Sequence, residues 1–297
     1  MSFSGDVKAE LCRAVVQKNC CARAEAHGVL LFCNTFQRDL IRIVTENHAF
    51  AERLPRLFHR AFGISFDRLP EADSAKLIFE ITSRAKLDAV INVFGFSMEQ
   101  NPSLHINFAL LEEDCCRVSF LRGVFLAGGS VTDPNKRYHM EFVTSHYKVS
   151  RELEALLMDM GFQSRETERG GNFITYFKQS EHIEDLLTLL GAPVAAMDIM
   201  SAKVEKNLRN EMNRRVNCDT ANVDKAVEAA QEQLSAIRTL EESGRLEQLP
   251  EKLRQTAAMR VRFPEMTLSQ LAEAFTPPLT KSCLNHRLRK LTALAKE

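Results

Sequence analysis

The sequence predicts an α+β fold with an internal duplication, followed by an all-α C-terminal third. The first observation is a repeat, because Cys20-Cys21 and Val44-Thr45 recur about 100 residues later as Cys115-Cys116 and Val143-Thr144. The second is a series of apolar residues at helical spacing that begins at Met197. A chain of 297 residues is long enough for about two domains.

Each half of the repeat has the order helix, strand, helix, strand, helix. In the second half, one helical stripe holds Val149, Leu153, Leu156, Leu157 and Met160. Before it, residues 137–142 alternate in the manner of a half-buried strand. The pattern therefore predicts antiparallel sheets backed by helices, with the two halves forming one domain over residues 1–190.

The charges are balanced over the whole chain but unevenly distributed. There are 39 Lys and Arg residues against 39 Asp and Glu residues. Residues 201–297 carry 17 basic and 13 acidic side chains, a net charge of +4, and the rest of the chain carries −4. We therefore expect a polyanion to prefer the C-terminal third.

Two further features bear on the compartment. No apolar run approaches the roughly 18 residues that a bilayer span requires, and the start of the chain lacks the features of a signal peptide. We expect a cytoplasmic protein with no membrane partner. The eight cysteines include no C-x-x-C motif, so we expect reduced thiols, no metal and no cofactor.

A short motif opens the second half of the repeat. Leu126-Ala127-Gly128 lies in an apolar helix, and Asp133 follows it. The motif resembles the LAGLIDADG helix of homing endonucleases, and this resemblance implies two helices packed through small residues, each ending in a metal-binding carboxylate. We expect Gly128 and Gly129 to permit this close packing.

The first copy of the motif lacks the acidic residue at its end. Alignment of Gly28 with Gly128 places Cys33 opposite Asp133. One carboxylate is a poor Mg²⁺ site, and Asp-Pro is common in turns, so we expect no catalytic residue. A metal-dependent endonuclease that uses Asp133 is the alternative.

The strands of this domain carry charges of both signs. Arg42, Arg137 and His139 occur together with Glu80 and Glu141 on the predicted sheet face. Because a DNA-binding saddle should be basic, we expect weak or assisted DNA contact here, or a role in contacting protein.

The C-terminal part is predicted to be entirely helical. We expect a connecting helix and turn over residues 191–220, with the turn at Asn217–Thr220, and a helical domain over residues 221–297. Thr267-Leu-Ser-Gln270 is a capping box that opens a short helix. Pro277-Pro278 ends that helix, and Thr280 caps a second one. This pattern predicts a helix-turn-helix at about residues 267–295.

The second helix of this motif has one apolar and one polar face. Leu284, Leu288 and Leu291 are expected to pack inward. Asn can bind adenine, and Arg or Lys can bind guanine or phosphate. The candidate DNA-binding residues are Thr280, Lys281, Ser282, Asn285, His286, Arg287, Arg289 and Lys290.

Several stretches together resemble one family, WhiA. They include Ser4-Gly-Asp-Val-Lys-Ala-Glu-Leu11, Arg122-Gly-Val-Phe-Leu-Ala-Gly-Gly-Ser130, Asn217-Cys-Asp-Thr-Ala-Asn222 and Ser282-Cys-Leu-Asn-His-Arg-Leu-Arg289. The resemblance implies a degenerate two-copy LAGLIDADG-like domain joined to a helix-turn-helix, in a nucleoid-associated regulator of transcription that binds double-stranded DNA without cleaving it.

The same resemblance implies roles in cell division, chromosome segregation and, in some relatives, sporulation. A function exerted chiefly through contact with the transcription or division machinery is a further alternative. The oligomeric state is left open.

Overall fold

The computed structural model describes residues 2–16, 18–71, 74–95 and 104–296. The chain divides into two compact units, residues 1–206 and residues 207–297. No helix within the described ranges is both long enough and apolar enough to cross a membrane.

The first unit contains the predicted duplication. Its first half is formed by α1 (Phe3–Leu11), α2 (Asn19–Leu31), β1 (Thr35–Phe36), β2 (Ile41–Thr45), α3 (His48–Phe62), β3 (Leu77–Ile81) and α4 (Arg84–Phe94). Its second half is formed by α5 (Asp114–Gly128), β4 (Gly129–Val131), β5 (Met140–Thr144), α6 (Tyr147–Asp159), β6 (Arg165–Arg169), β7 (Asn172–Phe177) and α7 (Ser180–Leu190). The predicted α+β class is confirmed.

Each half contributes one antiparallel sheet. The strand order is β1-β2-β3 in the first and β4-β5-β7-β6 in the second. Ile43 pairs with Phe79, and Phe142 pairs with Thr175. Helix α3 packs against β2, and α6 packs against β5 and β7, so both sheets are backed by helices as predicted.

The predicted apolar stripes form the core of this unit. Val149, Leu153, Leu156 and Leu157 of α6 are buried, whereas Met160, just after the helix, is only partly buried. The strand predicted from Arg137 begins at Met140.

One local prediction is wrong. Instead of a turn at Asn217–Thr220, a single helix, α8 (Pro193–Glu242), runs through these residues. Short polar side chains lower helix propensity by only a few tenths of a kcal/mol each, and no Gly or Pro interrupts the helix. It ends just before Ser243-Gly244, where Gly244 has a φ of 67°. The division into residues 1–190, 191–220 and 221–297 stays a prediction.

The second unit is entirely helical in its described residues. After α8 come α9 (Glu251–Arg262), α10 (Leu268–Glu273) and α11 (Lys281–Leu294). Their core includes Leu240 of α8, Leu253 of α9, Leu271 of α10, and Leu284 and Leu288 of α11.

Candidate nucleic-acid interface

Helix α10 is fixed at its start by the predicted capping box. The Gln270 backbone N–H donates to Thr267 Oγ1 at 3.3 Å, and the Thr267 backbone N–H donates to Gln270 Oε1 at 3.0 Å. Both hydrogen bonds use groups that a helix terminus would otherwise leave without a partner. The helix ends at Glu273, two residues before the predicted end at Phe275.

Helix α11 begins where the sequence predicted. The Cys283 backbone N–H donates to Thr280 Oγ1 at 3.2 Å, so Thr280 is the N-cap residue. Leu284, Leu288 and Leu291 are buried, as predicted, and the helix continues three residues beyond the predicted end at Leu291. With α10 it forms the predicted helix-turn-helix.

The opposite side of α11 is polar and accessible. Lys281, Ser282, His286, Arg289 and Lys290 are exposed, whereas Asn285 and Arg287 are half-buried. Among the residues that the structure describes, no carboxylate forms an ion pair with the basic side chains of this helix. Their charges therefore remain free to contact phosphate groups.

Sequence reasoning missed one residue that supports this motif, Arg260 of α9. Its side chain is 3% exposed, and Nη1 donates to the Met266 carbonyl oxygen at 2.7 Å. Burial lowers the pKa of Arg260 from its usual range. The contact holds the segment between α9 and α10. The sequence signal that could have identified Arg260 is its position seven residues after the buried Leu253, which places the two residues on the same face of the helix.

In the first unit, α2 and α5 pack directly against each other. A Cβ atom on Gly28 would lie 2.2 Å from the Phe120 carbonyl oxygen, and one on Gly123 would lie 2.1 Å from the Glu25 carbonyl oxygen. The glycines that bring the two helix backbones together are therefore Gly28 and Gly123. Gly128 and Gly129, predicted for this role, are also tightly enclosed, but a Cβ there would meet the Val143 carbonyl oxygen at 2.7 Å and the Phe125 ring at 2.5 Å, respectively. The predicted equivalence of Gly28 with Gly128 is wrong by five residues.

This register changes which residues end the two helices. With Gly28 equivalent to Gly123, Cys33 corresponds to Gly128, so neither copy has a carboxylate there. Lys8 of α1 lies nearby, and its Nζ donates to the Leu126 carbonyl oxygen at 3.0 Å. Burial lowers the pKa of Lys8 to about 8.

Asp133 lies in a turn after β4 instead of at a helix end. Its carboxylate Oδ1 accepts from the Asn135 backbone N–H at 2.8 Å, and its carbonyl oxygen accepts from the backbone N–H groups of Lys136 and Arg137. These bonds are those of a turn residue.

Charged side chains on and beside each of the two sheets form ion pairs with oppositely charged side chains of the same sheet region. Glu80 binds Arg42 Nε at 2.6 Å and Arg68 Nη1 at 3.5 Å. Glu141 lies 3.0 Å from His139 Nε2 and 3.8 Å from Arg169 Nη2. Arg137 is exposed. This pairing leaves less positive charge for a polyanion than α11 offers.

Two protein-family models match successive parts of this chain. Residues 117–209 match the model described as the WhiA LAGLIDADG-like domain. Residues 212–295 match the model described as the WhiA C-terminal HTH domain.

Curated relatives match over nearly their full length. The chain is 37% identical over 308 aligned positions to the "Probable cell division protein WhiA" of Ruminiclostridium cellulolyticum, covering 99% of this chain and 97% of the relative. The protein of that name from Alkaliphilus metalliredigens is 36% identical over 311 positions, with 99% and 98% covered.

A solved structure shares the fold. Full-length DUF199/WhiA from Thermatoga maritima matches with a TM-score of 0.61 and 23% identity, covering 100% of this chain and 98% of that one.

Proposed function

Because this chain belongs to the WhiA family, we propose that it is a sequence-specific DNA-binding regulator of cell division that binds the major groove through its helix-turn-helix. The observation that carries this proposal is the polar side of α11, where exposed basic side chains have no acidic partner among the described residues. Free cations are the groups that supply phosphate affinity.

The side chains of α11 divide by position into two roles. Recognition helices contact base edges with residues from their N-terminal half. We assign Thr280, Lys281, Ser282, Asn285 and His286 to bases or nearby phosphates, and Arg287, Arg289 and Lys290 to phosphates. Thr280 Oγ1 already accepts the capping hydrogen bond from the Cys283 backbone N–H. The Thr280 hydroxyl would therefore contact DNA as a hydrogen-bond donor.

The first unit acts without cleaving DNA. A shared-metal nuclease needs carboxylates from both helices, and the equivalent positions here are Cys33 and Gly128. The Lys8 ammonium group lies within hydrogen-bond distance of the end of α5, where its charge would oppose a bound cation. This unit modulates DNA binding or contacts protein partners.

The biological role is inferred from the named relatives. Proteins named as probable cell division proteins match this chain over almost its whole length. We propose that the protein associates with the nucleoid and acts on transcription during cell division and chromosome segregation, and during sporulation where the organism sporulates. The transcription or division machinery would be its protein partner.

Mapping of chromosomal binding sites tests the proposal. The full chain should occupy discrete sites that the Asn285→Ala/Arg289→Ala variant loses or exchanges. Arg254→Ala is the matched control, because Arg254 is an exposed arginine of α9 that pairs with Glu251. An unchanged map for the double variant would contradict the proposal, and full rescue of division by a chain truncated before Thr267 would favour a role through protein contacts.

A metal-dependent endonuclease is the alternative function. Asp133 lies with Asp6, Asp198 and Glu205 around a groove of about 430 Å³. In the described ranges, these carboxylates are not among the side-chain groups that lie close enough to share an ion. Supercoiled plasmid incubated with Mg²⁺ or Mn²⁺ distinguishes the two functions, because nicking that disappears in Asp133→Asn would establish the nuclease.

A further inference from the structure

Four cysteines from the two halves of the duplication meet at one point. Cys20 and Cys21 lie in the first turn of α2, and Cys115 and Cys116 lie in the first turn of α5. Their four Sγ atoms all lie within 4.8 Å of one another. Each pair is separated from its counterpart by 95 positions, as Gly28 is from Gly123, so the packing of the two helices is what brings the thiols together.

The distances fit one metal ion. Zinc bound by four cysteines is tetrahedral with Zn–S bonds of about 2.3 Å, which places the sulfur atoms about 3.8 Å apart. The distances between the Sγ atoms in the structure exceed this spacing by at most about 1 Å. All four cysteines are free thiols in the structure, and soft sulfur ligands select zinc-like ions over Mg²⁺ or Ca²⁺.

The two helix starts favour negative charge on sulfur, whereas burial opposes it at Cys21 and Cys116. The cysteines occupy the starts of two helices, where the helix dipole stabilises thiolates. Neither Lys18 nor Glu113, the two N-cap residues, caps its helix with its side chain. Lys18 and Arg122 line a cavity of about 270 Å³ beside Cys21 and Cys115.

The thiols differ in how readily they lose a proton. Burial raises the pKa of Cys20, but hydrogen bonds with Cys116 and Cys21 and the charge of Lys18 lower it overall. Burial raises the pKa of Cys21 and of Cys116.

We propose that Cys20, Cys21, Cys115 and Cys116 bind one zinc ion, which joins the first turns of α2 and α5. The ion exchanges its water ligands for four thiolates, and four protons pass to solvent without any change of oxidation state. Exposed Cys20 gives the ion access from solvent, and the buried Cys21 and Cys116 hold it. Spacing along the chain predicted no metal, because neither pair of cysteines forms a zinc motif by itself and the two pairs meet only in the fold.

Cobalt titration of the full-length, reduced and metal-free chain tests this proposal. We expect a thiolate-to-cobalt charge-transfer band and visible bands typical of tetrahedral coordination, saturating at one Co²⁺ per chain and reversed by Zn²⁺. Elemental analysis of the protein as purified should find one zinc per chain. Cys20→Ser should lower the affinity at least tenfold, and Cys20→Ser/Cys116→Ser should abolish the band.

The controls separate this site from the other thiols. Cys218→Ser and Cys283→Ser remove one exposed and one half-buried cysteine from the second unit, and both should titrate as the unsubstituted chain does. Circular dichroism of each metal-free variant establishes that it is folded, and exposed Cys20 makes its single substitution the mildest one.

Four results would overturn the proposal. The first is the absence of the charge-transfer band, and the second is its persistence in the folded double variant. The third is a disulfide among these four cysteines in the protein purified without reductant. The fourth is an iron–sulfur absorption spectrum in the purified protein.

Discussion

Gly28 and Gly123 occupy equivalent positions on two packed helices, and each lies against the backbone of the other helix. The nearest backbone nitrogen to a Cβ on Gly28 would be that of Val124, at 2.9 Å, and to a Cβ on Gly123 that of Val29, at 3.1 Å. Each glycine thus meets the residue that follows its counterpart. This symmetry fixes the register of the two halves and leaves no room for a side chain at either position.

Gly123→Ala should therefore destabilise the first unit. A methyl group there would lie 2.1 Å from the Glu25 carbonyl oxygen, and the backbone cannot rotate away as a flexible side chain could. Overpacking of this kind costs about 1–3 kcal/mol or more. Urea unfolding followed by circular dichroism measures the change in the free energy of unfolding.

Gly5→Ala is the control for this substitution. A Cβ on Gly5 of α1 would meet only side-chain atoms, with the Ser2 hydroxyl oxygen nearest at 3.3 Å, so its stability should change by less than that of Gly123→Ala. Equal stabilities of Gly123→Ala and the unsubstituted chain would show that the helices are not in this register.

A buried ion network gives a second prediction. Glu25 is fully buried and binds Arg53 through two hydrogen bonds of 2.5 and 2.8 Å, and Arg122 Nη1 lies 3.5 Å from it. Glu25→Gln leaves both guanidinium groups without a buried counter-charge, so we expect a loss of about 3–5 kcal/mol. The same unfolding assay measures it.

The exposed pair Arg84 and Asp88 supplies the comparison, since their side chains are 60% and 50% exposed. Asp88→Asn should cost at most about 1 kcal/mol. If Glu25→Gln costs no more than Asp88→Asn, the buried network does not stabilise the fold.

The sequence predicts the elements well because their signals are local. The capping box at Thr267 and the apolar stripe that includes Leu153 need only neighbouring residues, and both are confirmed. The prediction of a turn at Asn217–Thr220 was wrong, because residues that favour helix caps are also tolerated inside a helix when no Gly or Pro interrupts it.

The packing of α2 on α5, the cysteine cluster and the ion pairs of the sheets depend on contacts between residues that are distant in the sequence. Local sequence patterns do not show which distant residues meet. A one-dimensional alignment can pair Gly28 with either Gly123 or Gly128, and only the packing of α2 on α5 selects Gly123. The four-cysteine cluster follows from the same register. The ion pairs of Glu80 and Glu141 likewise depend on strand register as well as residue type.

His27 should make the stability of the first unit depend on pH. Burial is the main reason that its pKa is lowered to about 3 from a usual value of 6.5, and its Nε2 accepts from the Asn107 backbone N–H at 3.1 Å. Below pH 6.5 the unfolded chain binds a proton that the native state does not bind, so stability falls as the pH falls toward 3.

Comparison with His27→Gln isolates this effect, because glutamine keeps an acceptor but does not titrate. Between about pH 6 and pH 4, the unsubstituted chain should lose about 2–3 kcal/mol more stability than the variant. Above pH 7 the two should respond to pH alike. Parallel stability curves over the acidic range would rule out a neutral buried His27.

Arg289→Ala should weaken DNA binding in a way that is independent of sequence. Arg289 is exposed on α11, and no acidic side chain in the described residues pairs with it. Loss of one phosphate contact should lower affinity for all duplexes alike and reduce the salt dependence by about one ion. Fluorescence anisotropy at several salt concentrations measures both, and an unchanged salt slope would remove Arg289 from the phosphate contacts.

Asn285→Ala should instead alter sequence preference. Asn285 lies in the N-terminal half of α11 and is half-buried, a position from which a recognition helix contacts base edges. Because a bidentate contact to adenine discriminates by about 1–3 kcal/mol, the variant should tolerate substitutions at one base pair that the unsubstituted chain rejects. Its affinity for non-specific duplex and its salt slope should stay the same.

Selection of bound sequences from a random duplex pool measures the preference, with Arg254→Ala as the control. A variant that selects the same sequences as the unsubstituted chain would place base recognition elsewhere on the helix, since a residue that contacts only phosphate changes affinity without changing preference.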